Sequence, residues 1–127
     1  LAQMVAILRD RPEHFSVLAG DDGFTLALMA HGGDGIISVV SNVMPRAVAS
    51  LCDALSRGDL ATARVLEATL APVIDAAFVE SNPIPAKAML AWMGRLEEVL
   101  RLPLVPLAEA HRAPVREVLR QAGLLPV

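Results

Sequence analysis

The sequence predicts an α/β fold in which one parallel β-α-β unit is followed by helices alone. Three observations lead there. Two short runs, Phe15-Ser16-Val17-Leu18-Ala19 and Gly35-Ile36-Ile37-Ser38-Val39-Val40, are almost continuously apolar rather than alternating, the pattern of strands covered on both faces. The stretch between them, Phe24 to Ala30, has helical spacing and supplies the crossover that parallel neighbours require. Beyond Pro45 the apolar residues recur every three or four positions, with no further β-like run.

Ala2 to Arg9 reads as an amphipathic helix already under way at Leu1. Leu1 is no start methionine and no signal peptide precedes it, so the chain is expected to enter mid-fold. Arg11-Pro12-Glu13-His14 breaks this helix, and the first strand, residues 15–19, is closed by Gly20-Asp21-Asp22-Gly23. Gly32-Gly33 stops the crossover helix before the second strand, residues 36–40. Two parallel strands cannot stand alone, because each keeps an unpaired outer edge and both faces need cover, so further strands are expected upstream.

Pro45 suits a first helical turn; Ala47, Val48, Leu51, Cys52 and Leu55 form the apolar stripe of the helix it opens, and Gly58 lies just past its end. Asp59 can cap a long helix from Leu60 to about Ala77, where Pro72 removes a backbone donor and should kink it. Asn82-Pro83 restarts a helix that Gly94 ends, and Arg101-Leu102-Pro103-Leu104-Val105-Pro106 is an extended connector. The last helix runs from about Ala108 to Gly123 with Glu117 and Gln121 one turn apart.

Composition narrows the class. A chain of 127 residues has the length of one domain and is 54% apolar. No run approaches the ~18 apolar residues of a bilayer span. So large an apolar share suggests surface meant to meet other protein. The net charge of −3, with eleven scattered basic residues, argues against nucleic acid. Cys52 is the single cysteine; it cannot form an internal disulfide, reads as core, and points to a reducing compartment, the cytoplasm.

The segments Leu18-Ala19-Gly20-Asp21-Asp22, Gly32-Gly33-Asp34-Gly35-Ile36-Ile37-Ser38-Val39, Val79-Glu80-Ser81-Asn82-Pro83-Ile84-Pro85-Ala86-Lys87 and Leu102-Pro103-Leu104-Val105-Pro106-Leu107 resemble, in order and spacing, the C-terminal portion of the dihydrodipicolinate synthases. The resemblance covers essentially the whole chain. It implies the last two strands of a (β/α)8 (TIM) barrel in residues 1–58 and a three-helix C-terminal domain in residues 59–127. It further implies a lyase of lysine and diaminopimelate biosynthesis, working as a homotetramer, that condenses pyruvate with aspartate semialdehyde through a Schiff base on a lysine. That lysine would end the sixth barrel strand, upstream of Leu1. No metal or organic cofactor is implied, since the imine is itself the electron sink.

The only lysine, Lys87, matches a position in the helical domain and is expected far from the imine site, as a surface or interdomain contact. The family's proton-relaying tyrosine has no counterpart, since the chain has no Tyr. No catalytic residue is therefore expected in this chain, which alone should be inactive. Ile37 matches the family position whose main chain lies against pyruvate, although its side chain reads equally as barrel core. Gly20, Asp21 and Asp22 match the loop bordering the aldehyde's entrance, where glycine permits close backbone approach. The same residues read as a turn with helix-capping carboxylates.

His14, His31 and His111 are too dispersed for metal-ligand spacing. Glu80 and the pair Glu97-Glu98 read as solvated helical carboxylates, and Trp92-Met93 as packing. Two other classes stay open: another pyruvate-dependent lyase, of N-acetylneuraminate or keto-deoxy sugar type, which would share the fold and the imine chemistry and choose its aldehyde with residues upstream, and a non-catalytic helical interaction module or degenerate homologue.

Overall fold

A computed structural model of the chain describes residues 1–126. Helix α1 spans Ala2–Asp10, and strand β1 is Leu18–Ala19. A 3-10 turn at Asp22–Phe24 leads into α2, Thr25–Ala30, and β2 is Gly35–Ile36. A second 3-10 turn, Val40–Asn42, precedes α3, Pro45–Ser56. Three helices follow: α4 at Leu60–Ala77, α5 at Ile84–Trp92 and α6 at Glu109–Gln121.

The strands pair in parallel, Leu18 opposite Gly35 and Ala19 opposite Ile36. The ladder extends by one bond at each end: Asp34 N–H donates to Val17 O at 2.9 Å and Ile37 N–H to Ala19 O at 2.8 Å. Both strands are shorter than the runs 15–19 and 36–40 from which they were predicted, because side chains divert the flanking amides. Val17 N–H donates to the Asp34 carboxylate at 2.8 Å. Past Ile37 the amides of Val39 and Val40 turn to the Asp22 carboxylate. A strand loses its continuation where its N–H groups find such partners.

The cover that continuous apolar strands call for is only partly present within this chain, as expected if further strands complete it. Ala19 is buried, but Leu18 is 45% exposed and Ile37 70% exposed. A two-stranded sheet leaves each strand one unpaired edge among the described residues. The helices present shield Ala19 and leave Leu18, Ile37 and Phe15 open, so the continuous apolar runs record a cover this chain does not itself supply.

Helix boundaries follow their caps. The Asp59 carboxylate accepts from Thr62 N–H at 3.0 Å, which starts α4. Gly58, between α3 and α4, sits at φ 73°, a left-handed conformation that ends a helix without the steric penalty a side chain would bring. Helix α4 runs unbroken through Pro72. In α6 the Glu117 carboxylate accepts from Gln121 Nε2 at 3.1 Å.

The helices share one core. Leu51 of α3, Leu70 and Val73 of α4, Met89 of α5 and Leu119 of α6 are almost wholly buried and belong to a single cluster. That cluster crosses Gly58, so helices on both sides of it fold as one packed body. No residue of α1 is buried. No helix among the described residues is long and apolar enough to cross a membrane.

Candidate functional site

The C-terminal ends of β1 and β2 open onto a cavity of about 500 Å³. Gly20, Ile37, Ser38, Val39 and Asn42 line it from the strand side; Asn82, Pro83, Ala86, Lys87, Leu90 and Leu96 line it from α5 and its flanks. A second groove, of about 340 Å³, follows the free edge of β1 between α1 and α2 and is walled by Leu1, Met4, Ile7, Leu18 and Phe24. Gly20 borders both.

Each predicted site residue has a definite place. The main chain of Ile37 is held by its N–H on Ala19 O, while its side chain stands exposed at the cavity rather than in a core. A Cβ added to Gly20 would meet nothing within 4 Å, so the close approach expected there is to no atom of this chain.

The adjacent carboxylates have opposite environments. Asp21 is exposed at the groove and caps the 3-10 turn by accepting from Gly23 N–H at 2.9 Å. Asp22 is 4% exposed. Its carboxylate accepts from Ser38 Oγ at 2.5 Å, from Val39 N–H at 2.9 Å and, more weakly, from Val40 N–H at 3.4 Å. Its carbonyl accepts from Thr25 Oγ1 at 2.8 Å. A buried carboxylate with donors on both oxygens is a structural joint, since each donor meets part of the cost of removing it from water.

Lys87, expected as a surface or interdomain contact, lines the α5 side of the cavity that Ile37 lines from the strand side. Its ammonium donates to Val99 O, tying α5 to the segment that follows it. Ser38, Asn42 and Asn82 were missed. Ser38 is the one polar residue interrupting the apolar run 36–40, and that interruption is the signal that marks a partner for a buried acid. Asn42 Nδ2 donates to Val39 O at 2.9 Å, which only the 3-10 turn makes possible.

The remaining acidic and aromatic residues serve the helical half. Glu98 was read as solvated; it forms a bidentate pair with Arg112, both bonds 2.9 Å, because α6 brings the guanidinium over it. Glu80, read the same way, accepts from Ala108 N–H at 3.0 Å and faces His111 at 3.8 Å. Glu97 is exposed as expected. The Trp92 ring has Arg112 and Arg116 guanidinium carbons 5.2 and 4.5 Å from its centre. Burial, and secondarily the neighbouring Asp53, pushes the Cys52 thiol above its ordinary range, which disfavours the reactive thiolate. His31 Nδ1 bonds Ala27 O at 2.7 Å, and His14 lies in an exposed turn shortly after α1.

The sequence profile of the Dihydrodipicolinate synthetase family matches residues 1–122. The chain belongs to the dihydrodipicolinate synthetase family. Among curated relatives, the 4-hydroxy-tetrahydrodipicolinate synthase of Chlorobium limicola is 46% identical over 125 residues, 98% of this chain and 42% of that protein. The one from Chlorobaculum parvum is 43% identical over 123 residues, 97% and 42% respectively. The crystal structure of dihydrodipicolinate synthase from Aquifex aeolicus superposes with a TM-score of 0.95 at 40% identity, over 97% of this chain and 42% of that one. The chain thus spans about 42% of the length of the dihydrodipicolinate synthases it matches.

Proposed function

We propose that this chain is the C-terminal part of a 4-hydroxy-tetrahydrodipicolinate synthase, a class I lyase that condenses pyruvate with aspartate semialdehyde in lysine and diaminopimelate biosynthesis. The observation that carries the reading is identity of 46% sustained along 98% of the chain with a relative of that name. In this reading residues 1–58 close a (β/α)8 barrel, residues 59–127 form the helical domain behind it, and the cavity at the strand ends is one wall of the active site. The complete protein is a cytoplasmic homotetramer.

The chemistry begins when a lysine amine attacks the C2 carbonyl of pyruvate and water leaves. The resulting iminium makes the methyl protons acidic; loss of one gives an enamine that attacks the aldehyde carbon of the second substrate. The iminium nitrogen draws the electron pair, so no metal or organic cofactor is called for. Lys87 is the only side-chain amine in this chain, and its hydrogen bond to Val99 O commits it to joining two segments. The nucleophile therefore belongs to another part of the complete enzyme. This chain contributes the Ile37 main chain, set against pyruvate, and Gly20 and Asp21 at the aldehyde's entrance.

Borohydride reduction with pyruvate tests the reading. In the complete protein a pyruvyl adduct is expected on a lysine other than Lys87, and the isolated chain should take up none. An adduct mapped to Lys87 by mass spectrometry would overturn this division of labour.

A further inference from the structure

We infer that Asp22 acts on the reaction without touching substrate, as a positioning residue that fixes the Ile37 main chain at the strand ends. The inference rests on the synthase reading above, and it takes Asp22 out of the entrance loop in which the family resemblance had placed it beside Gly20 and Asp21. A residue that greets a substrate needs a free polar atom facing it. Asp22 is 4% exposed, and both carboxylate oxygens are engaged within the chain.

What the carboxylate holds is specific. It crosses from the turn after β1 to the segment immediately after Ile37, taking the hydroxyl of Ser38 and the amides of Val39 and Val40. Ser38 Oγ in turn accepts from Ser41 N–H at 2.7 Å, and Ser41 Oγ donates to Ser38 O at 3.1 Å, which closes the turn. Ile37 is thus gripped on both sides: its own N–H is on Ala19 O at 2.8 Å, and the next three residues are held by Asp22. Main chain pinned on both sides has no freedom to rotate its peptide plane, which is the condition for presenting it to a small ligand in one geometry.

Only a carboxylate fits without rearrangement. The two amides require acceptors; an asparagine must put its carbonyl there and its NH2 toward Ser38, whose hydroxyl then accepts instead of donating. Asp22→Asn therefore keeps part of the joint, Asp22→Ala keeps none, and Ser38→Ala removes one tie from the other side.

The test is made in the complete synthase, whose two substrates are read separately because pyruvate binds and forms its imine before the aldehyde arrives. In Asp22→Asn and Ser38→Ala, kcat/KM for pyruvate is expected to fall on the order of 10-fold to 100-fold, the effect of misplacing a binding group by about 1 Å. In both variants kcat/KM for the aldehyde holds. The double variant should fall no further than the worse single, and amide exchange at Val39 and Val40 should quicken in both singles. A loss confined to the aldehyde, or a silent Ser38→Ala, would return Asp22 to the substrate and overturn the inference. So would equal losses in every parameter in step with the fraction of unfolded protein. Failure of the synthase reading shows separately, as wild-type protein that traps no pyruvate while the exchange response of Val39 and Val40 still reports the joint.

Discussion

Leu119→Ala should be among the most damaging single changes in the helical half. Leu119 has no exposed surface and belongs to the cluster that includes Leu51, Leu70 and Met89. Removing three carbons forfeits about 2.4 kcal/mol of transfer free energy at ~0.8 kcal/mol per methylene. The void left behind raises measured Leu→Ala losses to about 2–5 kcal/mol, least where the surroundings can settle. Because α6 packs from one side of the core it can close part of that void, so about 3 kcal/mol is expected. The molecule supplies its own probe: Trp92 is the single tryptophan and lies against Arg112 and Arg116 of α6. In urea, with a slope of about 2 kcal/mol/M, the midpoint should drop by about 1.5 M. Trp92 fluorescence and helical circular dichroism should move together, with both proteins at one concentration because association shifts midpoints. A drop under about 0.5 M, or Trp92 unfolding ahead of the helices, would refute the single-core description.

The isolated chain should self-associate, since both strands have an open edge beside exposed Phe15, Leu18 and Ile37; a monodisperse monomer in sedimentation would count against the barrel reading. Dialysis of the complete synthase against EDTA should leave its rate unchanged, and activity lost and then restored by a metal ion would contradict the imine as sole electron sink. The Asp59 carboxyl is held below its ordinary value, first by hydrogen bonding to Thr62. Its stabilisation is complete above the unfolded-state value and vanishes as pH falls through the lowered folded value. The difference between wild type and Asp59→Ala in urea midpoint should therefore collapse in acid, and a pH-independent difference would exclude the cap as its cause.

Local chemistry was readable without coordinates. Helix ends at Asp59, Gly58, Gly94 and Gly123 rest on one residue's capping geometry or φ preference, and each reads the same in the sequence and in the fold. The parallel pairing was legible too, since two continuous apolar runs flanking a short helix admit few arrangements. The family was legible from four motifs in register, Gly20-Asp21-Asp22 and Gly35-Ile36-Ile37-Ser38 among them.

Which of two neighbouring carboxylates faces water was not legible. Asp21 and Asp22 are the same residue type one position apart, and both suit a turn. What separates them is Ser38 and the amides of Val39 and Val40, sixteen to eighteen residues on, brought close by β2 and by the turn that follows it. Likewise Lys87 meets the cavity of Ile37, and Glu98 meets Arg112, only because α5 and α6 fold back over the same core. The sequence by itself determined this chain's helices, its caps, its parallel strand pair and its family, because those depend on spacing and backbone preference within a few residues. Tertiary structure alone decided which polar groups are buried and what they hold, because burial is a property of the whole packed body and each buried donor must find its acceptor across it.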